Sequence, residues 1–262
     1  MGEIESMSTK LHWQSFGEGP DLVLLHGWGG MNGAVWQQTV ESLQTDFRVH
    51  VVDLPGYGHS AEHHGEDLDH IANLVAQSAP KKAIWLGWSL GGLVATHVAL
   101  NMPERVTKLI TVASSPKFAA EKPWRGIQPH VLSAFTSQLL EDFSLTIERF
   151  MALQAMGSPS ARKDVKQLKQ AVLSRPQPNP ESLLVGLNIL ADVDLRDALT
   201  SLSVPMLRLY GRLDGLVPIK VANDLSKQLP HTQQFVFNQS SHAPFMTEHD
   251  EFCAQIREFA HD

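Results

Sequence analysis

Gly87-Trp88-Ser89-Leu90-Gly91 joins the apolar run Ala83–Leu86 to the helix-like stretch Gly92–Leu100. A strand, a tight turn and a helix in this order are the setting in which Gly-x-Ser-x-Gly forms a nucleophile elbow, which lifts the serine hydroxyl above the sheet edge. Glycines two residues to either side of the serine let neighbouring backbone approach without a Cβ clash. The pattern alone is weak. Its position between a strand and a helix is what makes Ser89 a candidate nucleophile.

Composition limits the classes of protein to consider. The chain has 262 residues, 43% of them hydrophobic, which is enough for one large core. A net charge of −7 argues against a nucleic-acid binder that relies on phosphate attraction. The single cysteine, Cys253, permits no intrachain disulfide and suits a reducing compartment. The start, Met1–Ser6, is acidic, and no apolar run follows. We expect a soluble, cytoplasmic protein without membrane or nucleic-acid partners.

Short apolar runs alternate with longer helical patterns, which predicts an α/β fold with a mostly parallel, doubly wound sheet. The first two runs are joined by only a few residues around Gly17-Glu-Gly-Pro20, which favours an antiparallel hairpin at one edge. The predicted strands are Leu11–Phe16, Leu22–Leu25, Val49–Asp53, Ala83–Trp88, Leu109–Ala113, Leu207–Tyr210 and Gln234–Phe237. The predicted helices cover about residues 34–45, 67–78, 90–101 and 248–260.

Between about Lys117 and Asp192 the strand signal gives way to amphipathic segments separated by prolines. The sheet pattern resumes at Val204–Gly211, so we expect one domain over residues 1–262 with a helical insertion at 117–192. An insertion after a central strand lies near the carboxyl ends of the strands, where ligands bind. It would form a lid over Ser89. A second independent domain is disfavoured, because a few short helices have little core of their own.

A serine nucleophile needs a base and an acid that orients the base, and with this elbow the chain order is serine, acid, histidine. Asp214 follows the sixth predicted strand and His242 follows the seventh, so both should emerge at the same sheet edge as Ser89. Asp194 and Asp197 precede the final strands and are the alternative acids. His242 would remove the serine proton, and Asp214 would fix the imidazole tautomer.

A tetrahedral intermediate needs backbone donors for its oxyanion. One candidate is the N–H of Leu90, at the start of a helix where the dipole favours negative charge. The second is the N–H of Trp28, because Leu22–Leu25 leads directly into His26–Gly30. The indole of Trp28 is a candidate wall of the acyl pocket or a packing group, and the same two roles are open for Trp88.

Two other patterns do not amount to cofactor sites. Histidines and acids crowd residues 59–70, but they lack the fixed spacing of metal ligands. Gly27-x-Gly29 and Gly56-x-Gly58 do not continue to a third glycine that opens a helix, as a dinucleotide site requires. Asp53, which precedes the second of these, is interpreted as a turn residue. We therefore expect no metal and no organic cofactor.

Several motifs together resemble the α/β-hydrolase superfamily across the whole chain. They are His26-Gly-Trp-Gly29, Asp53-Leu-Pro-Gly-Tyr-Gly-His-Ser60, Gly87-Trp-Ser-Leu-Gly-Gly92 and the contexts of Asp214 and His242. More narrowly, the chain resembles the family of pimeloyl-[acyl-carrier protein] methyl ester esterases, the carboxylesterases of biotin synthesis. The stretches that carry this likeness are Ala83–Ala95, Pro103–Val106, Val112–Pro116, Glu148–Phe150, Ala152–Gln154 and Leu207–Gly211.

The resemblance implies hydrolysis of the methyl ester that masks a pimeloyl chain on its acyl-carrier protein. Ser89, Asp214 and His242 match the family's catalytic triad, and Trp28 and Leu90 match its oxyanion region. The resemblance also implies a lid segment beside the substrate. With the neighbouring residues, the implied substrate-binding set is Trp28, Trp88, Ser89, Leu90, Phe150, Met151, Ala152, Leu153, Gln154 and His242.

The charge of the insertion gives a separate reason to expect a carrier protein. Residues 117–192 carry nine Lys or Arg and seven Asp or Glu, a net +2, so the remaining chain carries −9. Arg162, Lys166 and Lys169 fall on one helical face, which would attract a strongly acidic carrier. A merely solvated face is the alternative. The resemblance adds Arg149 and Arg162 as matches to lid arginines, while Leu145 stands where a further arginine is expected.

Two other functions remain as alternatives. One is a generalist hydrolase of short-chain esters or thioesters. The other is a ligand receptor on a hydrolase scaffold, which is disfavoured because all three triad positions are filled. We expect a monomer whose partner is an acyl-carrier protein bearing a pimeloyl methyl ester.

Overall fold

The computed structural model describes residues 10–29 and 31–262. Residues 1–9, which include the acidic start of the chain, and Gly30, in the loop of the candidate oxyanion donor, lie outside the described residues. The strands are β1 (Trp13–Phe16), β2 (Asp21–Leu25), β3 (Arg48–Val52), β4 (Ala83–Trp88), β5 (Val106–Val112), β6 (Met206–Gly211) and β7 (Gln233–Phe237). The helices are α1 (Gln37–Leu43), α2 (Leu68–Ser78), α3 (Leu90–Asn101), α4 (Pro129–Glu141), α5 (Phe143–Ala155), α6 (Ala161–Leu173), α7 (Pro180–Asp192), α8 (Ile219–Gln228), α9 (Pro244–Thr247) and α10 (His249–His261).

Within the described residues, the strands form one sheet in the spatial order β1-β3-β2-β4-β5-β6-β7. Strands β2 to β7 pair in parallel, and only β1 runs antiparallel. Every residue of β4 and β6 is buried, as expected for parallel strands covered on both faces. The predicted fold class, a mostly parallel α/β sheet, is confirmed.

The predicted hairpin between the first two strands is wrong. Strand β1 pairs with β3, in a register that places Trp13 opposite Val52. The reason is that β2 is apolar and buried, and both of its edges are taken by the parallel partners β3 and β4. Strand β1 is half exposed and suits the outer position, where it covers the free edge of β3.

Residues 113–205, all of them described, connect β5 to β6 and contain the helices α4 to α7. Helix α4 packs against α5 and α7, and α5 packs against α6. Buried side chains of this helical insertion, among them Leu132, Ile147, Leu168 and Leu187, are continuous with the core around the sheet. The insertion therefore shares its apolar core with the sheet.

The parallel register brings several loops to one edge. Leu25 at the end of β2 lies opposite Gly87 near the end of β4, and Gly211 at the end of β6 lies opposite Phe237 at the end of β7. The loops that follow these four strands therefore start side by side. Among the described residues, every helix is too short or too polar to span a bilayer.

Candidate active site

Ser89 lies in a strained turn between β4 and α3. Its backbone has φ +54° and ψ −116°, a conformation that costs a non-glycine residue about 1–3 kcal/mol. A Cβ on Gly87 would collide with the backbone of Gly91, and one on Gly91 would collide with the carbonyls of Leu25 and His26. The expected role of both glycines is confirmed, because only glycine permits these approaches.

The side chains of Ser89, His242 and Asp214 form a buried hydrogen-bonded chain. The Nε2 atom of His242 lies 2.9 Å from the Ser89 Oγ, and its Nδ1 lies 2.7 Å from the Asp214 Oδ2. A carboxylate only accepts, so Nδ1 carries the proton and donates to Asp214. This leaves Nε2 free to accept the serine proton. The other oxygen of Asp214 accepts the N–H groups of Leu216 at 2.8 Å and Val217 at 3.1 Å.

The alternative acids do not reach the histidine. Asp194 forms ion pairs with Arg196 at 2.6 Å and with Lys117 at 3.2 Å. The hydrogen bonds from Arg196 hold the pKa of the Asp194 carboxyl well below its usual range. Asp197 is exposed at the surface. The structure thus brings Asp214 to His242.

The backbone of His242 is bonded on both sides. Its carbonyl accepts the indole N–H of Trp88 at 2.7 Å, and its N–H donates to the carbonyl of Gln154 in α5 at 3.1 Å. The Trp88 ring is fully buried and makes an edge contact with Phe245, with centroids 4.9 Å apart. The structure therefore places the Trp88 side chain in the core, where its hydrogen bond holds the backbone of the loop that carries His242.

The two predicted oxyanion donors lie on segments adjacent to Ser89. Leu90 is the first residue of α3, where N–H groups have no acceptor within the helix. A Cβ on Gly27 would sit 3.3 Å from the Cβ of Ser89, so the loop after β2 passes in contact with the serine just before Trp28. No described residue accepts the N–H of Trp28. The role of these two groups as oxyanion donors stays a prediction.

The chain is similar to proteins of a known family. A family model described as alpha/beta hydrolase fold matches residues 20–249. A pimeloyl-[acyl-carrier protein] methyl ester esterase of Vibrio parahaemolyticus serotype O3:K6 is 89% identical over 98% of this chain and 100% of its own length. The protein of the same name from Vibrio cholerae serotype O1 is 69% identical over 97% of this chain and 99% of its length. The chain belongs to the pimeloyl-[acyl-carrier protein] methyl ester esterase family of α/β hydrolases.

Solved structures share the fold of this α/β hydrolase. The esterase EaEST from Exiguobacterium antarcticum superposes with a TM-score of 0.84 at 23% identity and covers 96% of both chains. The enol-lactonase from Burkholderia xenovorans LB400 gives the same TM-score, 0.84, at 18% identity, and also covers 96% of both chains. At such identities the likeness is one of fold alone.

In this α/β hydrolase, the predicted substrate segment lies in α5 and faces in more than one direction. Phe150 is buried and makes an edge contact with the Trp28 indole, with centroids 4.7 Å apart. Met151 and Gln154 are buried, Leu153 is half-buried, and Ala152 is exposed. Five consecutive helical residues span the whole circumference of a helix. The structure therefore does not bring Ala152 to the buried triad.

Two buried polar side chains, Trp28 in the loop after β2 and Gln154 in α5, differ in their hydrogen bonding. The indole N–H of Trp28 donates to the carbonyl of Leu183 in α7 at 2.8 Å, which ties the loop after β2 to the helical insertion. The Gln154 side-chain amide is buried, and neither of its polar atoms has a partner among the described residues. An unpaired buried amide is costly, and the role of Gln154 in substrate binding stays a prediction.

The predicted carrier-docking residues all lie on the outside of this α/β hydrolase. Arg149 in α5 and Arg162, Lys166 and Lys169 in α6 are exposed. The Lys169 Nζ lies 3.2 Å from a carboxylate oxygen of Glu148, so its charge is partly compensated. This ion pair joins two helices, and no local pattern in the sequence indicated it.

Asp53 organises the loops beside the site in a way that sequence reasoning missed. It is fully buried and accepts the N–H of Gly33 at 2.6 Å, the N–H of His59 at 2.8 Å and the guanidinium of Arg175 at 2.6 Å. Burial alone would raise its pKa, but the positive charge that His26 carries when it is protonated and the hydrogen bonds from Arg175 and Gly33 outweigh burial and lower it. Arg175 lies 122 residues away in the insertion, so local sequence gives no signal for the pair.

His26 is buried and neutral in the same network. Its Nδ1 donates to the carbonyl of Gly27 at 2.8 Å, and its Nε2 accepts the N–H of Leu54 at 3.0 Å. Burial is the main cause that lowers the pKa of His26 to about 4. Across residues 10–29 and 31–262, no three His, Cys, Asp or Glu side chains cluster so as to hold a metal ion.

The lowered pKa of His26 makes stability depend on pH. Below about pH 6.5 the unfolded chain protonates this histidine, whereas the folded chain does so only near pH 4. The free energy of unfolding should therefore fall by roughly 3 kcal/mol on this account as the pH drops from 6.5 to 4. Denaturant titrations across this range should give a steeper pH dependence for the wild type than for His26→Gln. Equal slopes would contradict the prediction.

Proposed function

We propose that this chain is a serine carboxylesterase that hydrolyses the methyl ester of pimeloyl-[acyl-carrier protein], giving pimeloyl-[acyl-carrier protein] and methanol in biotin synthesis. The observation that carries the esterase chemistry is the buried chain of hydrogen bonds from Ser89 through His242 to Asp214. The substrate follows from the name of relatives that are 62–89% identical over nearly the whole chain.

In the first half of the reaction, the Ser89 Oγ attacks the ester carbonyl carbon while its proton passes to the Nε2 of His242. The carbonyl oxygen becomes an oxyanion that accepts the N–H groups of Trp28 and Leu90. Asp214 stabilises the imidazolium that forms. When the intermediate collapses, the C–O bond to the methoxy group breaks and His242 gives its proton to the leaving oxygen, which departs as methanol.

In the second half, His242 removes a proton from water, and the hydroxide attacks the acyl-enzyme carbonyl. The bond to the Ser89 Oγ then breaks, and the serine recovers its proton from His242. The product carries a free carboxylate at the far end of the pimeloyl chain. No metal or organic cofactor enters this proposal.

We further propose that the chain is one domain in which the helical insertion at 117–192 is a lid over the site. Ser89 is 3% exposed and His242 is 1% exposed, and the carbonyl of Gln154 in the insertion bonds the N–H of His242. A covering of this kind keeps bulk solvent away from the site, although the one water molecule that deacylates the enzyme must still enter. The cytoplasmic location and the monomeric state stay predictions from the sequence.

The direct test compares two substrates with purified protein. The enzyme should hydrolyse the pimeloyl methyl ester on its carrier faster than free short-chain esters. Mass spectrometry should show the carrier-bound product lighter by the mass of one CH₂ group, with methanol released. A generalist esterase or thioesterase would show no advantage for the carrier-bound ester. A ligand receptor would hydrolyse neither, and a fluorophosphonate would not label its serine.

The exposed basic residues of the lid are proposed to dock the acidic carrier. Charge reversal of Arg149, Arg162 and Lys166 should lower kcat/KM for the carrier-bound ester by about tenfold or more, because association is steered by charge. Hydrolysis of a small uncharged ester should stay unchanged. The wild-type advantage on the carrier substrate should also shrink with added salt, since screening acts over about 8–10 Å at physiological ionic strength.

A matched control reverses three exposed lysines elsewhere, Lys81, Lys82 and Lys227, with the same change in net charge. This variant should retain most of the activity on the carrier-bound ester. Equal losses on both substrates in the lid variant would indicate a misfolded lid. No loss on either substrate would mean that the basic face is merely solvated.

A further inference from the structure

The histidine loop, residues 238–248 with His242 and the short helix α9, is bonded to the lid at two points. The first is the bond from the N–H of His242 to the carbonyl of Gln154 in α5, at 3.1 Å. The second lies five residues further on, where the Oγ1 of Thr247 donates to the Oδ2 of Asp164 in α6 at 3.0 Å. Both lid helices therefore contact the segment that positions the histidine ring.

Asp164 is a buried carboxylate whose partners are hydroxyl groups. It is 2% exposed and accepts hydrogen bonds from Ser158 at 2.8 Å and from Ser160 at 2.9 Å, besides Thr247. No cation among the described residues lies within ion-pair distance of it. Burying a carboxylate without a cation is costly unless its lone pairs are satisfied. Of its three partners, only Thr247 lies outside the lid.

The same two helices carry the exposed residues that are proposed to dock the carrier. Arg149 is in α5, and Arg162 and Lys166 flank Asp164 in α6. The outer face of this pair is basic, and its inner face bonds the histidine loop. The position of the pair therefore sets where the N–H of His242 finds its acceptor, and a small displacement would change the 2.9 Å contact between His242 and Ser89.

We propose that Asp164 and Thr247 are positioning residues, which latch the lid to the histidine loop and so align His242 with Ser89. The Gln154 carbonyl completes the latch through the backbone of His242. The inference rests on the proposed esterase activity. It adds that the lid sets the geometry of the general base as well as covering the site.

The test removes the hydroxyl of Thr247 and keeps the size of the side chain. Thr247→Val should lower kcat by about tenfold on both the small ester and the carrier-bound ester, with KM changed by less than about twofold, because the misplacement affects the reacting geometry and not binding. Thr247→Ser restores the hydroxyl and should recover most of kcat. Thr247→Ala, which lacks the hydroxyl and adds no bulk, replaces the valine variant if that one does not fold.

Ser160→Ala is the matched control, because it removes a hydroxyl from the same carboxylate but breaks no bond between the lid and the loop. Both variants should lower the melting temperature, and only Thr247→Val should lower kcat. Equal kcat values for the two folded variants would overturn the latch and leave the esterase proposal intact. The esterase proposal itself fails if the wild type hydrolyses neither ester, so the two failures are distinguishable.

Discussion

Ser89→Ala is expected to reduce kcat by roughly 10⁴-fold or more while the protein remains folded. The Oγ of Ser89 is the only non-hydrogen atom that the substitution removes. In the proposed reaction this oxygen forms the covalent bond to the acyl group. The oxyanion donors and the substrate contacts remain, so KM should change little. The measurements are kcat and KM for the carrier-bound ester, with circular dichroism to verify folding.

Ser241→Ala is the control for the loss of a buried serine hydroxyl next to the site. Ser241 is 2% exposed, and its hydroxyl has no partner among the described residues, so its removal breaks no hydrogen bond. This variant should keep most of the wild-type turnover. If Ser89→Ala retains more than about a tenth of wild-type kcat, Ser89 is not the nucleophile.

Asp214→Asn should lower kcat by about 10³–10⁴-fold. The N–H groups of Leu216 and Val217 already bond one carboxylate oxygen, so they would turn the oxygen of the new amide toward themselves. Its NH₂ group would then face the Nδ1 of His242, which would have to accept. The imidazole proton would move to Nε2, and the ring would no longer take the proton of Ser89.

The comparison for this substitution is Asp194→Asn, which changes an aspartate that pairs with Arg196 and Lys117 at the surface. It should leave kcat near the wild-type value. The pH profiles of kcat/KM for both variants would complete the measurement. A nearly silent Asp214→Asn would mean that another group orients the histidine, and the triad would have to be assigned again.

The edge of the sheet on which the site lies was predictable, because it follows from local patterns. Apolar runs alternating with helices imply parallel strands, and the carboxyl ends of parallel strands share one edge. Ser89, Asp214 and His242 each follow such a run in the sequence. In the structure, the His242 ring lies 2.9 Å from the Ser89 Oγ and 2.7 Å from the Asp214 Oδ2. Strand β1 was misplaced because a short turn favours a hairpin, whereas both edges of β2 are taken by parallel partners.

The contacts between distant segments were not predictable. Arg175 with Asp53, Asp164 with Thr247 and the Gln154 carbonyl with His242 join residues that are far apart in the chain. Each depends on how the helical insertion lies on the sheet. Helical periodicity predicts which face of a helix is apolar, but it does not predict which residue of another element that face meets.

The left-handed backbone of Ser89 places activity and thermodynamic stability in opposition at this position. Glycine adopts φ +54° without a steric penalty and would relax the turn, but it carries no hydroxyl. A sequence optimised only for compatibility with this backbone would therefore replace the serine. Serine persists at the top of β4 only while turnover is under selection, and attempts to stabilise the protein by relieving local strain must exclude this residue.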